Sequence, residues 1–237
     1  MTMPGRFAIQ SFLARAVKMG CQFAVVEVSS QGVLQNRHRF ISFDTAVFTN
    51  LAPEHIEAHG SFENYKKYKL KFFEYVPNNH VINKDDKYFQ EFYAIPAKNK
   101  IIYSAGDYGD IKLKLWGGFN VANATAAIKT AEIYGIDPEK AKQILEKIEF
   151  LPGRMEQINE GQKFKVIVDY AHTPDSMEAV YKSLRLKLAV GAKMICVFGA
   201  TGGGRDKWKR PEYGNISEKY CDEIILTNED PFAENPE

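Results

Sequence analysis

The sequence predicts an α/β protein built on parallel sheets, and three observations lead there. Apolar runs rich in β-branched residues recur along the chain, helical patterns lie between them, and the residues best suited to chemistry follow the ends of the runs. Strand and helix alternating in this way build βα units, whose buried strands read as nearly continuous apolar stretches. Ligands of such sheets gather beyond the carboxyl ends of the strands.

Taken in order, a helical pattern near the amino end (PGRFAIQSFLARAVKMG) precedes the strand-like runs FAVVEVSS (23–30) and FDTAVFTN (43–50). SFENYKKYKLKFF (61–73) reads as a helix with lysines and apolar residues interleaved. Residues 76–115 are less periodic, with VINKDDKYF and IKLKLW as short strands that an antiparallel pairing would suit. Helical patterns at 123–135 and 138–148 end near Phe150, where LPGR opens a new βα series. That series comprises strands at 164–170, 193–199 and 222–228, with helices at 175–188 and 209–220, the first of them capped by Asp175 or Ser176. The domains are therefore expected at 1–150 and 151–237.

With 45% hydrophobic and 26% charged among 237 residues, the composition is that of a globular chain long enough for one large core or two modest ones. Lys and Arg number 31 against 30 Asp and Glu, so no global charge argues for nucleic acid or a membrane surface as partner. Cys21, Cys196 and Cys221 have no C-x-x-C spacing, which argues against a disulfide framework or a zinc ribbon and for a cytoplasmic address. Arg6, Arg15 and Lys18 interrupt the only candidate leader, and no apolar run approaches the ~18 residues of a membrane span.

Five segments could carry chemistry. EVSSQGVLQNR, from Glu27, and TNLAPEHIEAHG, from Thr49, both leave strand ends, placing Glu27 and His55 on the rim of one sheet. A carboxylate and an imidazole brought together could hold a divalent ion, and oxygen ligands favour magnesium. The plain alternative has Glu27 capping a turn while His55 and His59 share a helical face. In GGFNVANATAAI, Asn120 and Asn123 could cap a helix or read the edge of a base. FKVIVDYAHTPD delivers Asp169, Tyr170 and His172 to a strand end, where a simple turn needs only the cap. FGATGGGRDKWKRP runs a strand into glycine-rich backbone followed by Arg205, Lys207, Lys209 and Arg210; it could form an anion nest, or a flexible turn with solvated cations. It is not a Walker A sequence, and none occurs in the chain.

Together with LPGRMEQI and TNEDPFAENP, and in this order, these segments resemble the Mur ligases, most closely the UDP-N-acetylmuramoyl tripeptide synthetases of the MurE type, from Thr2 to Pro236. Any one motif is weak; seven in the family's order are specific. The resemblance implies a Rossmann-like central domain without its first strand and phosphate loop, then part of a second Rossmann-like domain. It also implies a monomeric, ATP- and Mg2+-dependent enzyme joining an amino acid to a UDP-N-acetylmuramoyl peptide through an acyl phosphate.

Position by position, the resemblance makes Glu27 and His55 metal ligands and Lys69 a carbamylated lysine that completes the catalytic set, with Glu54 in place of the motif's Asp. Thr2, Ser29, Gln35 and Arg37 match contacts to the UDP-sugar peptide, with Met3 in place of a second Thr. Asn120 and Asn123 match adenine contacts, Arg154 the ribose-phosphate side, and Tyr170 and His172 the second-domain face of the nucleotide. Arg205 matches a contact to the incoming amino acid, and Glu229 and Asp230 belong to the same substrate region.

Three departures stand out. The G-x-x-G-K-T-T loop that clamps the phosphates would lie upstream of Thr2, so the chain alone is expected to turn over poorly. The second domain would continue past Glu237 and leave an exposed sheet edge. EDPF, ending at Phe232, stands where diaminopimelate-selecting enzymes have D-N-P-R, which removes an Arg fork for a second carboxylate and disfavours diaminopimelate. A non-catalytic module binding UDP-sugar peptide or a partner subunit is the competing reading, weakened by the complete metal set. A folylpolyglutamate- or cyanophycin-type ligase is another; SSQGVLQNR and AHTPDSMEAV favour the MurE type.

Overall fold

The computed structural model describes residues 2–203 and 205–235, leaving Gly204 of the glycine-rich run outside. The chain divides into two compact units, Met1–Leu51 with His59–Tyr103, and Ala52–Ala58 with Ser104–Glu237. The division thus falls at Tyr103, upstream of the turn at Phe150.

In the first unit, α1 (Arg6–Lys18) and α2 (Ser30–Leu34) precede β1 (Thr45–Phe48). After the short α3 (Ile56–His59), whose last residue returns to this unit, come α4 (Phe62–Tyr75), β2 (Asn79–Asn83), α5 (Phe89–Ala94) and β3 (Asn99–Tyr103). The strands form a parallel sheet in the order β1-β2-β3, with Val47 opposite Val81 and Val81 opposite Ile101.

Ser61 starts α4 by accepting the Asn64 N–H at 3.1 Å, and the helix lays Tyr65 and Phe73 onto the sheet. Phe48 stacks on Phe92 at 3.8 Å between centroids, with Phe73 edge-on to Phe92 at 4.9 Å, so aromatic packing dominates this core.

The central strand explains why periodicity failed at 76–115. All five residues of β2 are buried, including Asn79, His80 and Asn83; both asparagine amides and His80 Nε2 have partners, while His80 Nδ1 has none among the described residues. Asn79 Nδ2 donates to Asp44 Oδ2 at 3.0 Å, Asn83 Nδ2 donates to the Thr49 carbonyl at 2.7 Å, and His80 Nε2 lies 2.7 Å from the Val76 carbonyl. Burial keeps the His80 pKa below its usual value.

The pairing of β2 is parallel on both sides, which corrects the antiparallel expectation. IKLKLW forms no strand, and β3 lies upstream of it. Residues 24–29 also belong to no ladder, and Val25 is fully exposed. An apolar run becomes a strand only when a neighbour takes its backbone hydrogen bonds, so among the described residues Glu27 stands on a segment outside any ladder and not on a sheet rim.

The second unit contains a short 3-10 helix (Ala105–Tyr108), α6 (Phe119–Ile133), α7 (Pro138–Leu145), β4 (Glu156–Ile158) and β5 (Val166–Val168). It continues through α8 (Pro174–Arg185), β6 (Ile195–Phe198), α9 (Lys209–Tyr220) and β7 (Glu223–Leu226). β6 and β7 pair in parallel, while β5 pairs antiparallel with β4, so the 164–170 run joins no parallel sheet. Met155, Met177, Val180, Tyr181, Met194 and Tyr213 form the core. The cap of α8 is Thr173, whose hydroxyl accepts the Ser176 N–H at 3.2 Å while Ser176 returns a bond to the Thr173 N–H; Asp175 lies inside the helix.

Cys196 and Cys221 form a disulfide with Cα atoms 6.0 Å apart, correcting the expectation drawn from their spacing. The parallel register that sets Cys196 opposite Ile224 brings together two residues 25 apart in sequence, which no local motif records. Among the described residues, no helix is long and apolar enough to cross a membrane.

Candidate active site

The first unit gathers four of the expected contacts around α2. Ser29 caps the helix by accepting the Gly32 N–H at 3.1 Å, Gln35 ends it, and Arg37 follows. The Arg37 guanidinium donates to the Met3 carbonyl at 2.5 Å, tying it to the segment that carries Thr2. Gly32 lies close under the Met3 side chain, where a Cβ would push Met3 Sδ aside. Ser30 and His59, both buried, share a hydrogen bond of 3.0 Å.

Lys69 rides on α4 with its Nζ 5.2 Å from the Tyr65 ring centroid. Glu27 belongs to the same unit, whereas His55 belongs to the second. The described residues gather no group of three or more His, Cys, Asp or Glu suited to a metal ion. Of the expected donors only Glu27 is a carboxylate, and Lys69 becomes an oxygen ligand only if carbamylated. The residues as they stand are therefore an incomplete fit to magnesium.

The second unit brings Arg154, Tyr170 and His172 together. Asp169 is the staple: Oδ2 accepts the Met155 N–H at 2.7 Å, Oδ1 accepts the Ala171 N–H at 2.8 Å, and the Tyr170 N–H reaches the Gly153 carbonyl at 2.8 Å. The LPGR turn and the end of β5 thus become one piece. The Arg154 guanidinium lies 5.1 Å from the Tyr170 ring centroid, and the Tyr170 and His172 rings are 5.0 Å apart. Arg154 and Tyr170 are exposed, which leaves an aromatic face and a cation open to a ligand.

Asn120 is buried in the first turn of α6, and its amide donates to the Trp116 carbonyl at 2.6 Å. Asn123 is exposed one turn on, with Nδ2 at 3.4 Å from Asn120 Oδ1. Neither caps the helix, whose cap position is Gly118, so the capping reading is corrected.

The sequence reading missed the charged knot around Glu54. Glu54 Oε1 lies 2.9 Å from His172 Nε2, 3.4 Å from His55 Nε2 and 3.9 Å from Lys209 Nζ. Burial pushes the Glu54 carboxyl up, but the His172 hydrogen bond and the charges of His55, His172 and Lys209 outweigh it and hold it at about 2. The Glu54 bond raises His172, whereas burial lowers His55 despite the same carboxylate.

Asp206 is buried, with Oδ1 accepting the Glu57 N–H at 3.0 Å and Oδ2 3.4 Å from Lys209 Nζ. Glu57 returns a bond from the Lys207 N–H at 3.0 Å, and Tyr213 donates its hydroxyl to the His172 carbonyl. His55 takes a left-handed φ of 53°, which costs an L-residue about 1–2 kcal/mol and marks a backbone held by its surroundings.

Beyond the carboxyl ends of β6 and β7 is a crevice of about 340 Å³, lined in part by Phe198, Arg210, Tyr213, Leu226, Glu229 and Glu234. Arg205 and Asp230 lie outside its lining, with Arg205 exposed and the Asp230 carbonyl accepting the Gly202 N–H at 3.1 Å. Gly199, Gly202 and Gly203 of this run pack closely against the segment after β7. A Cβ on Gly199 would strike the Thr227 carbonyl, and one on Gly203 the Phe232 ring.

The comparisons with known proteins agree with these motifs. Residues 1–108 match the model of the Mur ligase middle domain, and residues 153–237 that of the Mur ligase glutamate ligase domain. The chain belongs to the Mur ligase family. A curated relative from Syntrophomonas wolfei, a UDP-N-acetylmuramoyl-L-alanyl-D-glutamate–2,6-diaminopimelate ligase, is 38% identical over 99% of this chain and 53% of its own length. The like-named ligase of Thermosynechococcus vestitus is 35% identical over 100% of this chain and 53% of its own. A solved structure with that ligase name aligns at a TM-score of 0.66 and 30% identity, covering 98% of this chain and 53% of that one.

This Mur ligase chain therefore spans about half the length of the curated relatives it matches. Their names carry diaminopimelate, which goes against the expectation drawn from Phe232.

Proposed function

We propose that this chain is part of an ATP-dependent ligase of peptidoglycan precursor synthesis, acting in the cytoplasm as a monomer. The γ-phosphoryl group of ATP passes to the carboxylate ending a UDP-N-acetylmuramoyl dipeptide, releasing ADP. The amine of an amino acid then attacks the acyl phosphate, loses a proton, and expels phosphate to leave an amide.

The observation that carries this reading is the stapled face of Arg154, Tyr170 and His172. Its exposed ring and guanidinium suit a nucleotide, with Asn120 and Asn123 of the same unit as the adenine contacts. Thr2, Ser29, Gln35 and Arg37 hold the UDP-sugar peptide from the first unit. Glu229 in the crevice beyond β6 and β7, with Arg205 and Asp230 outside its lining, attends the amino acid.

Glu27, His55 and a carbamylated Lys69 are the residues that would hold magnesium, whose part is to neutralise phosphate charge. The central domain is assigned to 1–150 and the second to 151–237. Phe232, with no cation to meet a second carboxylate, favours an acceptor other than diaminopimelate, in opposition to the relatives' names.

The test is ATP-dependent phosphate release with UDP-N-acetylmuramoyl dipeptide and a panel of amino acids, diaminopimelate included. The chain is compared with a version extended upstream through the native genomic sequence. Release only in the extended version, with one amino acid, supports the ligase and names its acceptor. No release in either, with the UDP-sugar peptide still bound, would replace it with a non-catalytic binding module.

A further inference from the structure

The buried pair Ser30 and His59 has no part in the reading above. Ser30 is 2% exposed and His59 8%, with Ser30 Oγ and His59 Nε2 sharing a hydrogen bond of 3.0 Å. Buried polar groups so placed cost free energy unless they are joined to a partner, so each fixes the other.

His59 is itself held firmly. Its carbonyl accepts the Asn64 side-chain amide at 3.0 Å, at the first turn of α4, and its ring lies 5.7 Å from that of Tyr65 and 5.5 Å from that of Tyr68. At the other end of the bond Ser30 is the first residue of α2, immediately after Ser29 and one to two turns before Gln35 and Arg37.

The helix that carries these groups has five residues. A helix so short cannot sustain itself in water, and its orientation comes from tertiary ties. Its amino-terminal tie is the bond to His59; it is also held by packing on α4 with Val33 buried, by Met3 against Gly32 and by the Arg37 bond to the Met3 carbonyl.

We propose that His59, acting through Ser30, is a positioning residue that sets α2 so that Ser29, Gln35 and Arg37 face the UDP-sugar peptide together. The orientation of α2 follows from the geometry alone; the ligand rests on the function proposed above.

The test uses the full chain as wild type, Ser30→Ala, His59→Phe and His59→Gln. Phe keeps the packing on Tyr65 and Tyr68 and loses the bond, whereas the Gln amide nitrogen reaches about as far as Nε2 and can restore it. Amide hydrogen exchange is followed at Val33, Gln35 and Arg37, whose N–H groups bond to the carbonyls of Ser29, Gln31 and Gly32. Protection there should fall about tenfold in Ser30→Ala and His59→Phe and recover in His59→Gln, with amides of β2 unchanged. Equal protection in all four proteins overturns the positioning role.

Titration of UDP-N-acetylmuramoyl dipeptide is run on the same samples. Affinity should fall about tenfold in the two variants that lose the bond and return in His59→Gln. A wild type that does not bind removes the ligand assignment, while the exchange data still judge the positioning. A wild type that binds, with both weakened-protection variants binding equally well, overturns the link between α2 and the ligand.

Discussion

The first unit hangs Ser29, Gln35 and Arg37 on a five-residue helix tied by the Ser30–His59 hydrogen bond and by contacts to Met3. The second holds His55 and His172 with a knot of opposite charges around Glu54, Lys209 and Asp206. The first set of ties is made of single hydrogen bonds and packing contacts, whereas the knot draws its strength from several opposite charges held together. The first arrangement suits a surface that must accept a large polar ligand without reorganising; the second puts the stored electrostatic energy at His172, on the proposed nucleotide face.

Removing packing from the first unit should have the largest effect. Phe92 is fully buried between Phe48 and Phe73, so Phe92→Ala is expected to cost about 3–5 kcal/mol in urea unfolding followed at first-unit amides. Second-unit amides should keep their transition. Loss of both together would mean that the two regions fold as one and that the contrast has no thermodynamic content.

Next is the knot. Glu54→Gln removes the carboxylate from beside His55, His172 and Lys209 and should cost about 2–3 kcal/mol at neutral pH. The Glu54 pKa is depressed on folding, so its contribution is full above its ordinary value of 4.5 and is lost as pH falls toward about 2. The His172 pKa is raised, so its share is full below 6.5 and fades as pH climbs through the folded value. The gap between wild type and Glu54→Gln, measured by urea unfolding across pH, should therefore be widest between 4.5 and 6.5. A gap that does not vary with pH would sink the electrostatic account.

Tyr213→Phe removes a single hydroxyl bonded to the His172 carbonyl and should cost about 1 kcal/mol, with the His172 ring signal shifted in NMR. Lys193→Met breaks an exposed pair with Glu223 and should change stability by less than about 0.5 kcal/mol, a control against which the buried knot stands out.

Sequence pattern located most helices and the strands β1, β6 and β7, because their apolar faces are continuous and their ends are marked by small or polar residues. It failed where burial is polar, as in β2, whose Asn79, His80 and Asn83 break the pattern while hydrogen bonds to Asp44, Val76 and Thr49 let them be buried. It also failed at residues 24–29, where an apolar run forms no ladder.

The site divides similarly. Tyr170 and His172 were expected together at a strand end and Arg154 came from the resemblance; the structure sets the three side by side through Asp169, which was read only as a neighbour. Glu54 was seen as a replacement within a motif, and its bond to His172 spans 118 residues. No local spacing announces a contact of that kind, and the Cys196–Cys221 disulfide was invisible for the same reason.

The measurement that reaches the central claim most directly uses UDP-N-acetylmuramoyl dipeptide labelled with oxygen-18 in its terminal carboxylate, with ATP, the accepted amino acid and the upstream-extended chain. An acyl phosphate transfers one carboxylate oxygen to phosphorus, so label should appear in the released phosphate, matched one to one with new amide. Amide formed with unlabelled phosphate would contradict the account.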